Sequence, residues 1–201
     1  MQTYVYERPR ELAEADFADY LNPATTAVVS IDMHRGHLDD SPDCPCPAPR
    51  ARELVAPIDA FHTQVRALGV RLIHVRSTVR PGGEDDVRGI PAAWRRTFQL
   101  HVGPIPNAHA HAIEGSRWTE WCTEVAPSDL RVDTKRRLSA FYPTDLDFLL
   151  RNQRIETVVL DGGFTDCCVL NTAFDASTAT TASSCCATWC AAPTTTWKPR
   201  P

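Results

Sequence analysis

Cys168 closes the run Asp161-Gly162-Gly163-Phe164-Thr165-Asp166-Cys167-Cys168, and its surroundings single it out as a candidate nucleophile. The β-branched segment Thr157-Val158-Val159-Leu160 reads as a buried strand and the two glycines permit a tight turn. The apolar spacing of Val169, Ala173 and Ala176 then predicts a helix. A cysteine in the first turn of a helix meets exposed N–H groups and the positive end of the helix dipole, both of which favour thiolate over thiol. That is an activated nucleophile by position. The commoner fate of a single cysteine is burial as a small apolar residue, so what surrounds the thiol decides between the two. Cys167, about 100° further round a helix, should point elsewhere and pack.

Two charged residues fall at comparable places. Asp32 follows Thr26-Ala27-Val28-Val29-Ser30-Ile31, a short β-branched run preceded by Asn22-Pro23, and Lys135 follows Leu130-Arg131-Val132. An Asp beside Val and Ile is costly to bury without a partner, and Lys135 can supply one; the plain alternative is a solvated loop pair. Open α/β sheets bind ligands at the carboxyl ends of their strands. Three polar residues, each just past a strand on that edge, therefore suggest one site.

The elements that must position these groups alternate. A helix is expected from about Ala51 to Leu68, with Leu54, Ile58, Phe61, Val65 and Leu68 at helical spacing and Pro57 marking a kink or a restart. Gly69 closes it, and Val70-Arg71-Leu72-Ile73-His74-Val75 follows as a strand, which makes a right-handed βαβ crossover. Residues 81 to 128 are irregular and read as a long insertion over the active-site edge. Its His109, His111, Trp118 and Trp121 are expected as solvated loop residues, with lid contacts as the alternative. Thr144-Asp145-Leu146-Asp147 has the spacing of a capping box that opens a helix through Leu149 and Leu150.

The 201 residues suit a single domain spanning 1–201, and with 43% hydrophobic and 23% charged residues the composition is that of a folded globular protein. A net charge of -4 leaves no electrostatic footprint for nucleic acid. No stretch approaches the ~20 apolar residues of a membrane span, and the start lacks a signal peptide's basic and apolar regions, so a cytoplasmic location is expected. In that compartment the eight cysteines should be thiols. Cys44 and Cys46, Cys167 and Cys168, and Cys185 and Cys186 lack the spacing of zinc ligands.

Three segments carry a family resemblance. Thr26 to Met33 around Asp32, Lys135-Arg136-Arg137-Leu138-Ser139-Ala140-Phe141, and Gly162-Gly163-Phe164-Thr165-Asp166-Cys167-Cys168-Val169 resemble, in order and spacing, the three motifs of isochorismatase-like cysteine hydrolases. The resemblance covers roughly residues 20 to 176. It implies an α/β fold of three α/β/α layers around a mostly parallel, Rossmann-like sheet, and hydrolysis of amide-type C–N bonds in small molecules. It makes Cys168 the nucleophile, Asp32 its proton acceptor and Lys135 the charge that holds the pair. It also places oxyanion-hole N–H groups at Phe164 and Cys168 and a cis peptide at Gly163–Phe164. Members that cleave the vinyl ether of isochorismate lack this cysteine, so amide substrates are favoured. Metal-binding members carry Asp-x-His after the second strand, where this chain has Arg76-Ser77-Thr78, and no metal or other cofactor is carried over. Asp32-Met33-His34-Arg35-Gly36-His37 departs from the usual pocket wall. A homo-oligomer acting on a small molecule, with no nucleic-acid or membrane partner, is expected. The alternative reading is a non-catalytic or unstable remnant of this fold, at best a binding protein.

After Ala176 the text turns to Ser177-Thr178-Ala179-Thr180-Thr181-Ala182-Ser183-Ser184-Cys185-Cys186, without apolar periodicity where such a fold needs another strand. Shifted by one base, the codons of Ser183 to Cys186 decode as consecutive apolar residues, and with GC-rich third bases the wider segment reads Asn-Arg-Asp-Tyr-Arg-Val-Val-Val-Leu-Arg-Asp-Val-Val. A one-base slip near Ser177 that garbles the last strand and helix is therefore expected, with a genuine Thr/Ser-rich tail as the rival reading.

Overall fold

The computed structural model describes residues 2–5, 8–11, 13, 15, 21–85, 105 and 107–179. At the N-terminus β1 (Gln2–Val5) pairs antiparallel with β2 (Arg8–Glu11), a ribbon that the sequence reading did not anticipate. The β-branched runs then build a parallel sheet of β3 (Thr26–Ile31), β4 (Arg71–Ser77), β5 (Leu130–Lys135) and β6 (Thr157–Gly162), ordered β5-β4-β3-β6.

Strand alternation divides the side chains between two faces. Val28, Leu72 and Val159 pack with Phe61 and Val65 of helix α3 (Val55–Ala67), which follows the short helices α1 (Arg35–Leu38) and α2 (Pro49–Arg52). Val29, Ile31, Ile73, Val75, Val132, Val158 and Leu160 form the larger core. On that side it is closed by Leu146 and Leu150 of α4 (Leu146–Asn152) and Ala176 of α5 (Leu170–Thr178). Each such side chain contributes about 1.5 to 3 kcal/mol when fully buried. Helices on both faces of a parallel sheet give the three-layer α/β/α arrangement that the family resemblance implies.

One irregularity matters for the site. Val75 pairs with Val132 and Ser77 with Lys135, so β5 spends one more residue than β4 over the same interval. The extra residue is a bulge, and it leaves Val132 and Lys135, three positions apart, both buried.

Several local expectations need correction. The helix expected over 51–68 is two helices, because the chain turns at Glu53–Leu54 and restarts at Val55. Pro57 then falls in a first turn, where its missing N–H costs nothing. Leu68 caps α3 and is 67% exposed rather than packed. The capping box does not close: the Thr144 hydroxyl accepts from the Leu146 N–H at 3.1 Å, while Asp147 pairs with Arg151 at 2.8 Å. Of the insertion at 81–128, residues 86–104 and 106 lie outside the described residues, as does the tail from 180 onward with Cys185, Cys186 and the shifted-frame reading. The described part of the insertion forms short 3₁₀ turns at Ala108–Ala110 and Arg117–Thr119. Among the described residues the five cysteines are free, and no helix is long and apolar enough to cross a membrane.

Candidate active site

Asp32, Lys135 and Cys168 reach one point from three strand ends. Asp32 is the first residue past β3; its N–H donates to Val75 O at 2.8 Å, and its φ of 54° turns the chain into the left-handed region that Asp tolerates. Lys135 is the last residue of β5, and the bulge presents it beside Ser77. Cys168 lies in a widened turn, Thr165–Val169, marked by the Val169 N–H donating to Phe164 O, five residues back.

The Lys135 ammonium, 1% exposed, donates to Asp32 Oδ2 at 2.5 Å, to Ser77 Oγ at 2.7 Å and to Cys168 Sγ at 3.2 Å. The Ser77 N–H donates to the other Asp32 oxygen at 2.6 Å. A buried charge pair keeps its ionisation only when its remaining lone pairs and protons are satisfied. Here burial alone would raise the Asp32 carboxyl, but Lys135 outweighs it and holds the group well below the ordinary carboxylate range. Burial would likewise lower Lys135, but the Asp32 charge and the Cys168 sulfur keep it above the ordinary amine range.

The surroundings of the thiol oppose the pull of the helix end. A hydrogen bond with the Cys167 thiol and burial hold Cys168 well above the ordinary thiol range, against the pull of Lys135. The ion pair already balances the buried charge, and a third charge has no counter-ion. Both effects favour the thiol form of Cys168 over the thiolate. The same contact corrects the expectation for Cys167. The widened turn leaves successive side chains closer in azimuth, and the two thiols meet.

Phe164 and Cys168 share this turn, and the Gly163–Phe164 peptide is cis. Gly162 ends β6 at a φ of 104°, and a Cβ there would stand 2.1 Å from Ile31 O, so only glycine fits. Thr172 joins the third motif to the second: its hydroxyl donates to Cys168 O at 2.7 Å and accepts from the Ala140 N–H at 3.0 Å.

Sequence reasoning missed Ser77. The signal was available, because the end of a strand lying between those of Asp32 and Lys135 must project between them. It also misjudged His111 and Trp118, which are buried rather than solvated, while His109 is exposed as expected. Arg76, at the place of the metal motif of relatives, is committed to an ion pair with Asp133 at 2.6 Å, and Ser77 to Lys135. These positions do not form that metal site. A different group does gather beside Asp32: His34, His37 and His111, all buried, offer nitrogens within 4.8 Å of one another.

The fold and the site together define an α/β/α domain, a parallel sheet covered on both faces, with a buried carboxylate, ammonium and thiol gathered at its carboxyl edge. The Isochorismatase domain matches residues 26–188, and the chain belongs to the isochorismatase family of hydrolases. Solved structures agree. A cysteine hydrolase from Pseudomonas syringae pv. phaseolicola 1448A is 26% identical, with a TM-score of 0.63 over 77% of this chain and 67% of that one. An isochorismatase family protein from Burkholderia thailandensis is 27% identical, with a TM-score of 0.62 over 85% and 82%. The N-carbamoylsarcosine amidase of Thermoplasma acidophilum, 24% identical, shares the fold with a TM-score of 0.60 over 81% and 80%.

Proposed function

We propose that this chain hydrolyses a C–N bond of a small amide, ureido or carbamoyl compound through Cys168, Asp32 and Lys135. The observation that carries the reading is the single Lys135 ammonium touching both the Asp32 carboxylate and the Cys168 sulfur. With the thiol form favoured, deprotonation accompanies attack. Asp32 takes the thiol proton as the sulfur adds to the carbonyl carbon, and Lys135 compensates the charge passing from one to the other. The backbone N–H groups of Phe164 and Cys168 hold the oxyanion. The C–N bond then breaks, the leaving ammonia or amine takes the proton from Asp32, and a thioester remains on Cys168. Asp32 next accepts a proton from water, whose oxygen adds to the thioester; collapse releases the acid and returns the proton to sulfur.

The amidase neighbour shares the fold, and amide chemistry is consistent with a site built around a thiol. The test is ammonia release from a panel of amides, ureido acids and carbamoyl compounds, with Cys168→Ser and Cys167→Ser side by side. Turnover by Cys167→Ser and none by Cys168→Ser is expected. Iodoacetamide inactivation that labels Cys167 and leaves Cys168 free would refute the assignment. A folded, intact protein inert on the whole panel would favour a binding role.

A further inference from the structure

The proposed chemistry leaves three buried histidines unused. His34 and His37 come from the loop and helix directly after Asp32, and His111 from the insertion, more than seventy positions away in the sequence. Their ring centroids lie 4.6, 5.7 and 4.7 Å apart, and all three rings are shut off from solvent. The geometry points to a binding site for one divalent late transition-metal ion, of the Zn²⁺ class, held by His34, His37 and His111.

The hydrogen bonds decide which nitrogens are available. His37 Nδ1 lies 3.2 Å from Cys46 O and His34 Nδ1 lies 2.9 Å from Trp118 O. The Gly36 N–H also stands 3.1 Å from His34 Nδ1, but a carbonyl oxygen has only lone pairs to offer and the contact with Trp118 O is the shorter, so each Nδ1 takes the proton and each Nε2 presents a lone pair. His34 Nε2 is buried with no hydrogen-bond partner. His37 Nε2 lies 3.3 Å from His111 Nε2. Two imidazole nitrogens on one tetrahedral ion at about 2.0–2.1 Å stand roughly 3.3–3.4 Å apart, so this pair is already at ligand separation. Nδ1–H bonds to backbone carbonyls are also how ligating histidines are oriented from behind. Gly36 keeps one of them in place. A Cβ there would meet His34 Cε1 and Nδ1 at 2.9 Å and Trp118 O at 3.0 Å, pushing the ring off its carbonyl.

Three imidazoles with no carboxylate oxygen among them select a borderline ion over Mg²⁺ or Ca²⁺. The ligand set differs from an Asp-x-His motif at 76–78, which this chain lacks. It also borders the reaction site, since His34 Nε2 is 3.9 Å from Asp32 Oδ1 and the His37 ring packs edge-on against Phe164 at 4.7 Å. Three protein ligands leave a fourth position for water or for a Lewis-base atom of the substrate.

The test uses the full chain, stripped by a chelator, dialysed and titrated with Co²⁺ alone, with Zn²⁺ content after reloading measured by mass spectrometry. One equivalent is expected, with visible d–d absorption of a low-coordinate Co²⁺ and without the near-ultraviolet band of a cobalt–thiolate bond. His34→Gln, His37→Asn and His111→Asn should each abolish stoichiometric loading while circular dichroism stays native, whereas His109→Ala and Cys168→Ser should load fully. Retention by Cys168→Ser separates this site from the proposed hydrolysis, so either can fail alone. A folded wild-type chain that takes up no ion, a thiolate band, or loading unchanged in all three histidine variants would overturn the assignment.

Discussion

Replacing Lys135 with Met removes the ammonium and keeps most of the aliphatic stem. At 2.5 Å and an effective dielectric of about 20, the gross attraction between Lys135 and Asp32 is about 7 kcal/mol. Desolvation of both groups consumes much of it, and breaking such a pair from one side costs about 3–5 kcal/mol because the other charge is left buried. Asp32 is 1% exposed, so Lys135→Met should sit at the upper end of that range, a large share of a domain stability of about 5–15 kcal/mol. Asp32→Asn should be costly for the mirror reason. The double variant leaves neither charge stranded and should recover about 2 kcal/mol or more relative to the sum of the singles. Urea denaturation of the four proteins at neutral pH closes the cycle, and ammonia release should be absent from all three variants. If the two singles add within about 0.5 kcal/mol, the pair is not coupled, and the reasoning from burial fails.

Ser77→Ala removes one acceptor from a buried ammonium and should cost about 1.5–3 kcal/mol of stability and lower turnover, read by denaturation and by steady-state kinetics. Gly162→Ala drives a Cβ to 2.1 Å from Ile31 O at a forbidden φ and should give little soluble protein, which a soluble-yield comparison checks. His74 is pushed down to about 4 by burial and by its neighbour His62. Its folded state disfavours the proton, so the contribution is complete above the unfolded value of 6.5 and is lost as pH falls from there through about 4. The loss is on the order of 3 kcal/mol, and when unfolding free energies are measured across that window the slope should be shallower by this share in His74→Gln, the part due to His34 and His37 remaining. A chain with the frame shifted by one base after Ser177 should melt higher than the given sequence if the slip is real, because β6, an edge strand among the described residues, would gain a neighbour; equal melting temperatures would show the tail to be genuine.

The parallel strands and the meeting of Asp32, Lys135 and Cys168 were legible because short β-branched runs, each ending in a polar residue, leave one topology and one edge for those residues. What stayed illegible depended on contacts across the chain. His111 sits in a segment rich in Pro and Gly whose local text reads as solvated loop, yet its ring packs against those of His34 and His37, far away in the sequence. The upward push on the Cys168 thiol could not be read from helix position, since the Cys167 thiol, burial and the Asp32 charge all oppose the dipole. Thr144 looked like half of a capping box because its spacing fits, yet its hydroxyl reaches Leu146 N–H instead.

The bulge in β5 sets the phase of the strand. In a regular strand, residues three apart face opposite sides of the sheet, and Lys135 would point away from Val132 and out of reach of Asp32. The unmatched residue at Asp133–Thr134 turns that half-period back, so that Lys135 shares a side with Val75, Val132 and Ser77. Chain length in this short stretch therefore acts as a parity bit for the meeting of Lys135 with Asp32 and Cys168. Deleting Thr134 would leave every reactive side chain in the gene and still rotate the ammonium to the wrong side of the sheet, whereas many substitutions of the exposed Thr134 side chain would pass unnoticed.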